Sequence, residues 1–190
     1  MNKNNFDALI NAFPNSLKED VTLVSKLISD SSYLDETNGD NVSGYINFKL
    51  LNTENIKLPN RVYFKDLANV EYLSKQQKLI YYCIFSRSCD GFVRENSLKQ
   101  ILSMEYEDWC LPYIIKLADE YIIEILDIIY AHIKDNNCEK FAKMFNLNKD
   151  YAQIAKSRMI SYWNEYYRHN FPQLNNYIGA KLFSDYFGVK

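Results

Sequence analysis

The chain has 190 residues, 47% of them hydrophobic and 24% charged, with a formal net charge of −2. That length suits one domain or one array of helix pairs, which can bury roughly 70% of the surface its unfolded form exposes, so no disulfide or metal staple is required. The near balance of charge, with no polybasic run, argues against nucleic acid as a partner. With five Gly and four Pro, the chain reads as neither a turn-rich β-sandwich nor a disordered segment.

Aromatic residues are plentiful, with 16 Tyr and 11 Phe, which suggests aromatic packing between elements. Cys83, Cys89, Cys110 and Cys138 form no CxxC pair and fit reduced thiols. The N-terminus lacks the apolar core of a secretory signal. The most apolar stretch, 110–133, carries Lys116, Asp119, Glu120, Glu124 and Asp127, too many charges for a membrane span. The expected location is the cytoplasm.

In chain order, Phe6, Leu9, Ile10 and Phe13 predict a short amphipathic helix stopped near Pro14. Ser16 and Glu19 have capping-box spacing. Leu17, Val21, Val24 and Ile28 then place a second helix to about residue 29. Residues 30–44 contain Asn38-Gly39 and Ser43-Gly44 and read as a loop. Residues 45–66 are ambiguous. Ile46, Phe48 and Leu50 alternate as in a strand, while Pro59 argues against a long regular element. An irregular extended segment is expected there.

Ser74 and Gln77 form a second capping box, which favours a buried helix over 74–88. Asp90 caps a helix over 91–104, with Leu98, Ile101 and Leu102 inward. Pro112 suits the first turn of a helix starting near Asp108. Residues 107–118 and 119–134 form two helices or one bent helix. Glu120, Glu124 and Asp127 recur at four and three, so they line one face as an acidic stripe. Cys138, Phe141, Ala142 and Phe145 mark the next helix. Asn148 caps a long helix to about residue 170, with Ile154, Ala155, Met159, Tyr162, Trp163 and Tyr166 on its apolar side. Phe171-Pro172 ends it. A last helix, 174–186, carries Tyr177, Ile178, Leu182 and Phe183.

The whole reads as one mostly all-α domain, 1–190. It has N-terminal helices over 1–30, a loop and extended segment over 31–73, and a helical hairpin array over 74–190. The pairs 74–104, 107–134 and 136–170 repeat about every 30–35 residues, the spacing of a short α-solenoid.

Reaction chemistry is not visible. His132 and His169 lie in no metal-ligand pattern, and no nucleophile elbow or phosphate-binding loop occurs. No cofactor or metal is expected. Cys89, beside Arg87 at a helix-connecting turn, is the best thiol candidate, but no histidine is close in sequence to serve as its base. If the chain were an enzyme, Glu120, Cys89 and His169 would be the first suspects. The acidic stripe suits a solvated or partner-binding face better than catalysis, which needs carboxylates across a cleft. A second candidate surface is Tyr162, Trp163, Glu165, Tyr166, Tyr167 and Arg168. Helical periodicity prevents all of these from facing the core, so Tyr166 or Tyr167 should be accessible.

Residues 89–96, CDGFVREN, resemble the inter-helix turn of HEAT-type repeats, with Asp90, Val93 and Arg94 in the bracing places. Asp90 would cap the following helix and Arg94 would bond neighbouring carbonyls or carboxylates. The strings LPNRVYF (58–64), QKLIYYCIFSRSCDGFVREN (77–96), WCLPYIIKLADEYIIEIL (109–126) and RMISYWNEYYRHNFPQLNNYIG (158–179) resemble a group of bacterial proteins associated with Rhs-type polymorphic toxins. The resemblance implies a non-enzymatic immunity protein that binds a cognate secreted effector toxin acting in the cytoplasm. It would occlude the toxin's active site or block substrate access. A basic toxin surface would complement Glu120, Glu124 and Asp127, with Tyr166, Tyr167 and Arg168 as further contacts. The alternative is a helical adaptor or scaffold with no toxin partner.

Overall fold

A computed structural model describes residues 8–31, 42–65, 69–136 and 139–188. Phe6, Cys138 and residues 32–41 of the loop expected over 30–44 lie outside the described residues. The protein is mostly helical, with one antiparallel two-stranded sheet. It divides into two compact units, residues 1–48 with 54–110, and residues 49–53 with 111–190.

In the first unit, residues 8–10 are helical and bury Leu9. A 3₁₀ turn, Asn15–Leu17, runs directly into helix α1, Lys18–Ser31. Ser16 therefore lies inside the turn and cannot be an N-cap, which corrects the capping box expected there. The apolar spacing holds: Leu17, Val21, Val24 and Ile28 are all buried.

The ambiguous segment forms two strands, β1 (Val42–Lys49) and β2 (Asn55–Val62). Ser43-Gly44, expected in a loop, belongs to β1. Gly44 has φ +57°, and a Cβ there would lie 2.6 Å from the Asn60 side-chain nitrogen, so the position favours glycine. Pro59 is tolerated within β2 because a two-stranded sheet has only edge strands, where a missing N–H need not break the ladder. At the end of β2, the Val62 amide donates to the Arg87 carbonyl and the Cys89 amide to the Val62 carbonyl, at 2.8 and 3.1 Å. Arg87 is fully buried. Its guanidinium donates to the carbonyls of Asn60 (2.8 Å), Ser86 (3.2 Å) and Pro59 (3.4 Å).

Helix α2, Lys75–Phe85, opens on the expected box: Ser74 Oγ accepts from the Gln77 amide, and Gln77 accepts from the Ser74 amide. Helix α3, Gly91–Ser103, is capped by Asp90, whose carboxylate accepts from the Phe92 and Val93 amides. Arg94 is buried and donates to the carbonyls of Ser88 and Cys89, at 2.9 and 3.0 Å, so its bonds run to neighbouring carbonyls of its own turn. Leu98 and Ile101 are buried, while Leu102 is only half-buried. Helices α1 and α3 both pack on α2. Phe13 meets Trp109 edge-on at 5.7 Å.

In the second unit a 3₁₀ turn, Asp108–Cys110 at its boundary, leads into helix α4, Leu111–Leu117. Pro112 sits in the first turn of α4, as expected. Helix α5 is Ile123–Asn136. The bent-helix alternative is excluded, since residues 118–122 leave the helix. Helices α6 (Glu139–Leu147), α7 (Lys149–Tyr162) and α8 (Ile178–Asp185) come next. α5 and α7 both pack on α8, and α6 packs on α4 and α7. The core buries Ile125, Leu126, Ile129 and Ile133 of α5 with Leu182 and Phe183 of α8. Each such side chain contributes about 1.5–3 kcal/mol. Phe145 stacks on Phe187 at 4.1 Å.

Asn148 occupies the N-cap position of α7, yet its side chain does not cap the helix. Its Oδ1 accepts from the Lys49 amide at 2.7 Å, and its Nδ2 donates to the Lys49 carbonyl at 2.9 Å. One side-chain amide thus pairs with the backbone as a strand residue would. Asn148→Ala should lower the unfolding free energy by about 1–3 kcal/mol, measured by urea denaturation. Asn148→Ser, an ordinary N-cap, should leave that loss in place; full recovery with serine would restore the capping role.

Candidate interaction surface

The residues around the α4–α5 turn build a surface on a buried ionic base. α4 ends at Leu117 and the turn brings Asp119 inside. Its Oδ1 accepts from Lys116 Nζ at 2.5 Å. Its Oδ2 accepts from Arg158 NH1 at 2.9 Å and from the Tyr151 hydroxyl at 3.2 Å. Tyr151 and Arg158 lie seven positions apart on α7, two helical turns on one face. A single carboxylate therefore ties the end of α4 to the length of α7. Lys116 is buried beside it. Such a cluster is held by its mutual bonds, because taking these charges out of water otherwise costs several kcal/mol each.

The turn also corrects the acidic stripe. Spacings of four and three share a face only while the helix is unbroken, and here the helical phase is lost over 118–122. Glu120 lies in the turn and is 3% exposed. Glu124 and Asp127 are exposed on α5. Among the described residues, neither makes an ion pair. Glu124 raises the Asp127 carboxyl above its usual range, adding to the larger effect of partial burial.

Facing these carboxylates is the end of α7. The helix does not run on to residue 170. It passes into a π-helical segment, Trp163–Tyr167, whose wider turn carries one extra residue and shifts the helical phase of the residues beyond it. Tyr162 and Trp163 are half-buried, Ile154 is exposed, and Tyr166 is 57% exposed. The expected apolar side thus keeps Ala155 and Met159 in the core and gives up Ile154 and Tyr166. Arg168 is exposed. Its guanidinium lies 5.6 Å from the Trp163 ring centroid and donates to Asn164 Oδ1 at 3.0 Å. Trp163 Nε1 donates to the Phe171 carbonyl at 2.8 Å.

Three tyrosines meet at this point. Tyr121, from the α4–α5 turn, is 46% exposed and lies 5.9 Å from Tyr162 and 5.6 Å from Tyr166, ring to ring. Tyr162 and Tyr166 stack at 6.2 Å. Tyr167 is half-buried, and its hydroxyl donates to the Tyr121 carbonyl at 2.5 Å. Burial pushes the Tyr167 phenol up and the Glu124 charge adds to this, while the Ile123 amide, bonded to the phenol oxygen, opposes both. Tyr167 thus serves the open start of α5, where helix amides lack partners. Its ring stacks on Tyr177 at 5.2 Å. Tyr177 is fully buried, and its hydroxyl has no hydrogen-bond partner among the described residues. Its pKa is raised strongly, chiefly by burial and then by Tyr167 and Asp127. Gly179 makes room for that ring, since a Cβ there would come within 2.6 Å of it.

The structure thus brings together Glu124, Asp127, Tyr166 and Tyr167, and removes Glu120 from the surface. Sequence reading missed Tyr121 and Tyr177 as members and missed Asp119 as the tie beneath them. A tandem acid pair inside an apolar run, Asp119-Glu120, is the unread signal for Asp119. The enzyme suspects are divided between the units: Cys89 belongs to the first, Glu120 and His169 to the second. Cys83 is buried, and burial, with the Cys110 thiol as a second cause, pushes it well above the usual thiol range. His132 is lowered by burial, partly offset by Asp135. Among the described residues no group of His, Cys, Asp and Glu could hold a metal ion, and no helix is long and apolar enough to cross a membrane. The chain matches no protein-family model, no curated protein and no solved structure.

This geometry sets two expected outcomes. Asp119→Leu should destabilise the protein by about 3–5 kcal/mol, because the buried Lys116, together with Arg158, loses the carboxylate they share. Adding Lys116→Met should recover part of that loss in chemical denaturation; equal loss in both variants would deny the pair its role. Asp127 works in the opposite sense. Its native pKa lies above the unfolded value, so ionisation costs stability. That cost is absent below the unfolded pKa and complete once pH exceeds the native one. Asp127→Asn should therefore stabilise by a few tenths of a kcal/mol (~0.2–0.5) at neutral pH, with no gain near pH 3, as read from thermal midpoints.

Proposed function

We propose that this is a cytoplasmic immunity protein that binds a cognate secreted polymorphic toxin and neutralises it by covering its active site or its substrate's access. The carrying observation is the surface around the α4–α5 turn: exposed tyrosines beside two carboxylates that no side chain among the described residues neutralises. Burying such carboxylates against apolar neighbours is unfavourable, and a basic partner would reverse that. Tyrosine supplies large contact area with few rotamers to freeze, which is why it is frequent among binding hot spots. The likeness of residues 58–179 to proteins associated with Rhs-type toxins supplies the class of partner. On this reading the α2–α3 pair, with its Asp90 and Arg94 turn, and the α6–α7 pair belong to a short HEAT-like array that displays the surface.

On this reading a toxin gene lies beside that of the protein, and co-expression with its product should restore growth and yield a one-to-one complex. Glu124→Lys with Asp127→Lys, or Tyr166→Ala alone, should weaken that complex at least about tenfold, with the helical circular dichroism unchanged. Absence of both rescue and complex would sink the proposal. Several partners without growth rescue would favour a helical adaptor instead.

A further inference from the structure

The same surface points to the side chain that anchors the partner. We propose that it seats one arginine of the partner, its guanidinium lying against Tyr121 and Tyr166 and forking toward Glu124 and Asp127. The inference deepens the binding reading above and rests on it.

Four observations converge. Glu124 and Asp127 lie three positions apart on one helix face, exposed and without an ion pair among the described residues. Their charges act inward as well, Glu124 on Tyr167 and Asp127 on Tyr177. The Tyr177 hydroxyl is buried, has no hydrogen-bond partner among the described residues and lies in that negative field. Three cations of the unit already have partners: Lys116 and Arg158 on Asp119, and Arg168 on Asn164 and the Trp163 ring. A positive group placed over the exposed rings would pair the two carboxylates.

The chemistry selects guanidinium. A divalent cation takes roughly six or more oxygen ligands, whereas this site offers two carboxylates and aromatic faces. An ammonium is a strongly hydrated point charge. A guanidinium is planar, stacks on aromatic rings and presents a fork that can reach two acceptors. Arg168 over Trp163 shows the same stacking within the chain.

The test needs no toxin. The full-length protein is titrated with acetyl-Gly-Arg-Gly-amide and with its lysine and citrulline counterparts, while the tyrosine ring signals are followed by NMR. The arginine peptide should shift Tyr121, Tyr166 and Tyr167 saturably, the lysine peptide should bind several-fold more weakly, and the uncharged citrulline peptide should have no effect. Glu124→Gln with Asp127→Asn should weaken arginine binding about three- to tenfold. Tyr166→Leu, which keeps the apolar bulk, should weaken it by its own amount. Equal shifts from citrulline, or unchanged binding by the double variant, overturn the arginine seat even where the toxin complex forms. Selective arginine binding without any toxin complex would keep the seat and reject the immunity reading.

Discussion

The second unit depends on one buried carboxylate. Asp119 accepts from Lys116 on its own helix end and from Tyr151 and Arg158 across two turns of α7. Everything displayed nearby inherits its position from that tie. Tyr121 comes two residues after Asp119, and Tyr162 and Tyr166 continue the helix that Asp119 grips. The aromatic cluster forms where those two lines of chain meet. A charged residue so far inside is tolerable only because each of its bonds is made, and the same demand fixes its partners in place.

The surface itself is built the opposite way. Its carboxylates repel each other and raise the acids around them, and one buried phenol has no hydrogen-bond partner among the described residues. Neither feature helps the chain fold. Conflicts of this kind, set on a well-satisfied base, are what sequence-to-structure consistency leads one to expect at a contact site.

What the sequence made legible was local. Ser74 and Asp90 cap their helices because the donors they serve lie two or three residues away. The apolar period of α1 marks its buried face. The errors share a cause at longer range. Asn148 looks like a cap but is claimed by the Lys49 backbone, 99 residues distant. Ser16 is overtaken by a 3₁₀ turn. The acidic stripe assumes an unbroken helix, and the break at 118–122 is stabilised by Tyr151 and Arg158, 32 and 39 residues from Asp119. Pro59 misleads because a strand's place in its sheet, edge or centre, is not written in the strand. Of the surface, Glu124, Asp127, Tyr166 and Tyr167 could be nominated from spacing; Tyr121 and Tyr177 could not, since only folding brings them alongside.

The π-helical segment Trp163–Tyr167 is an α-helix holding one residue too many. Removing Trp163, Asn164 or Glu165 would let the helix close to regular spacing, and the side chains that follow within that segment would swing by about 100°. Tyr166, Tyr167 and Arg168 would then face new directions while Asp119 kept its hold on α7 upstream. In a lineage, a single codon lost at this spot would redraw the surface, and the Tyr167–Tyr177 stack beneath it would have to form anew.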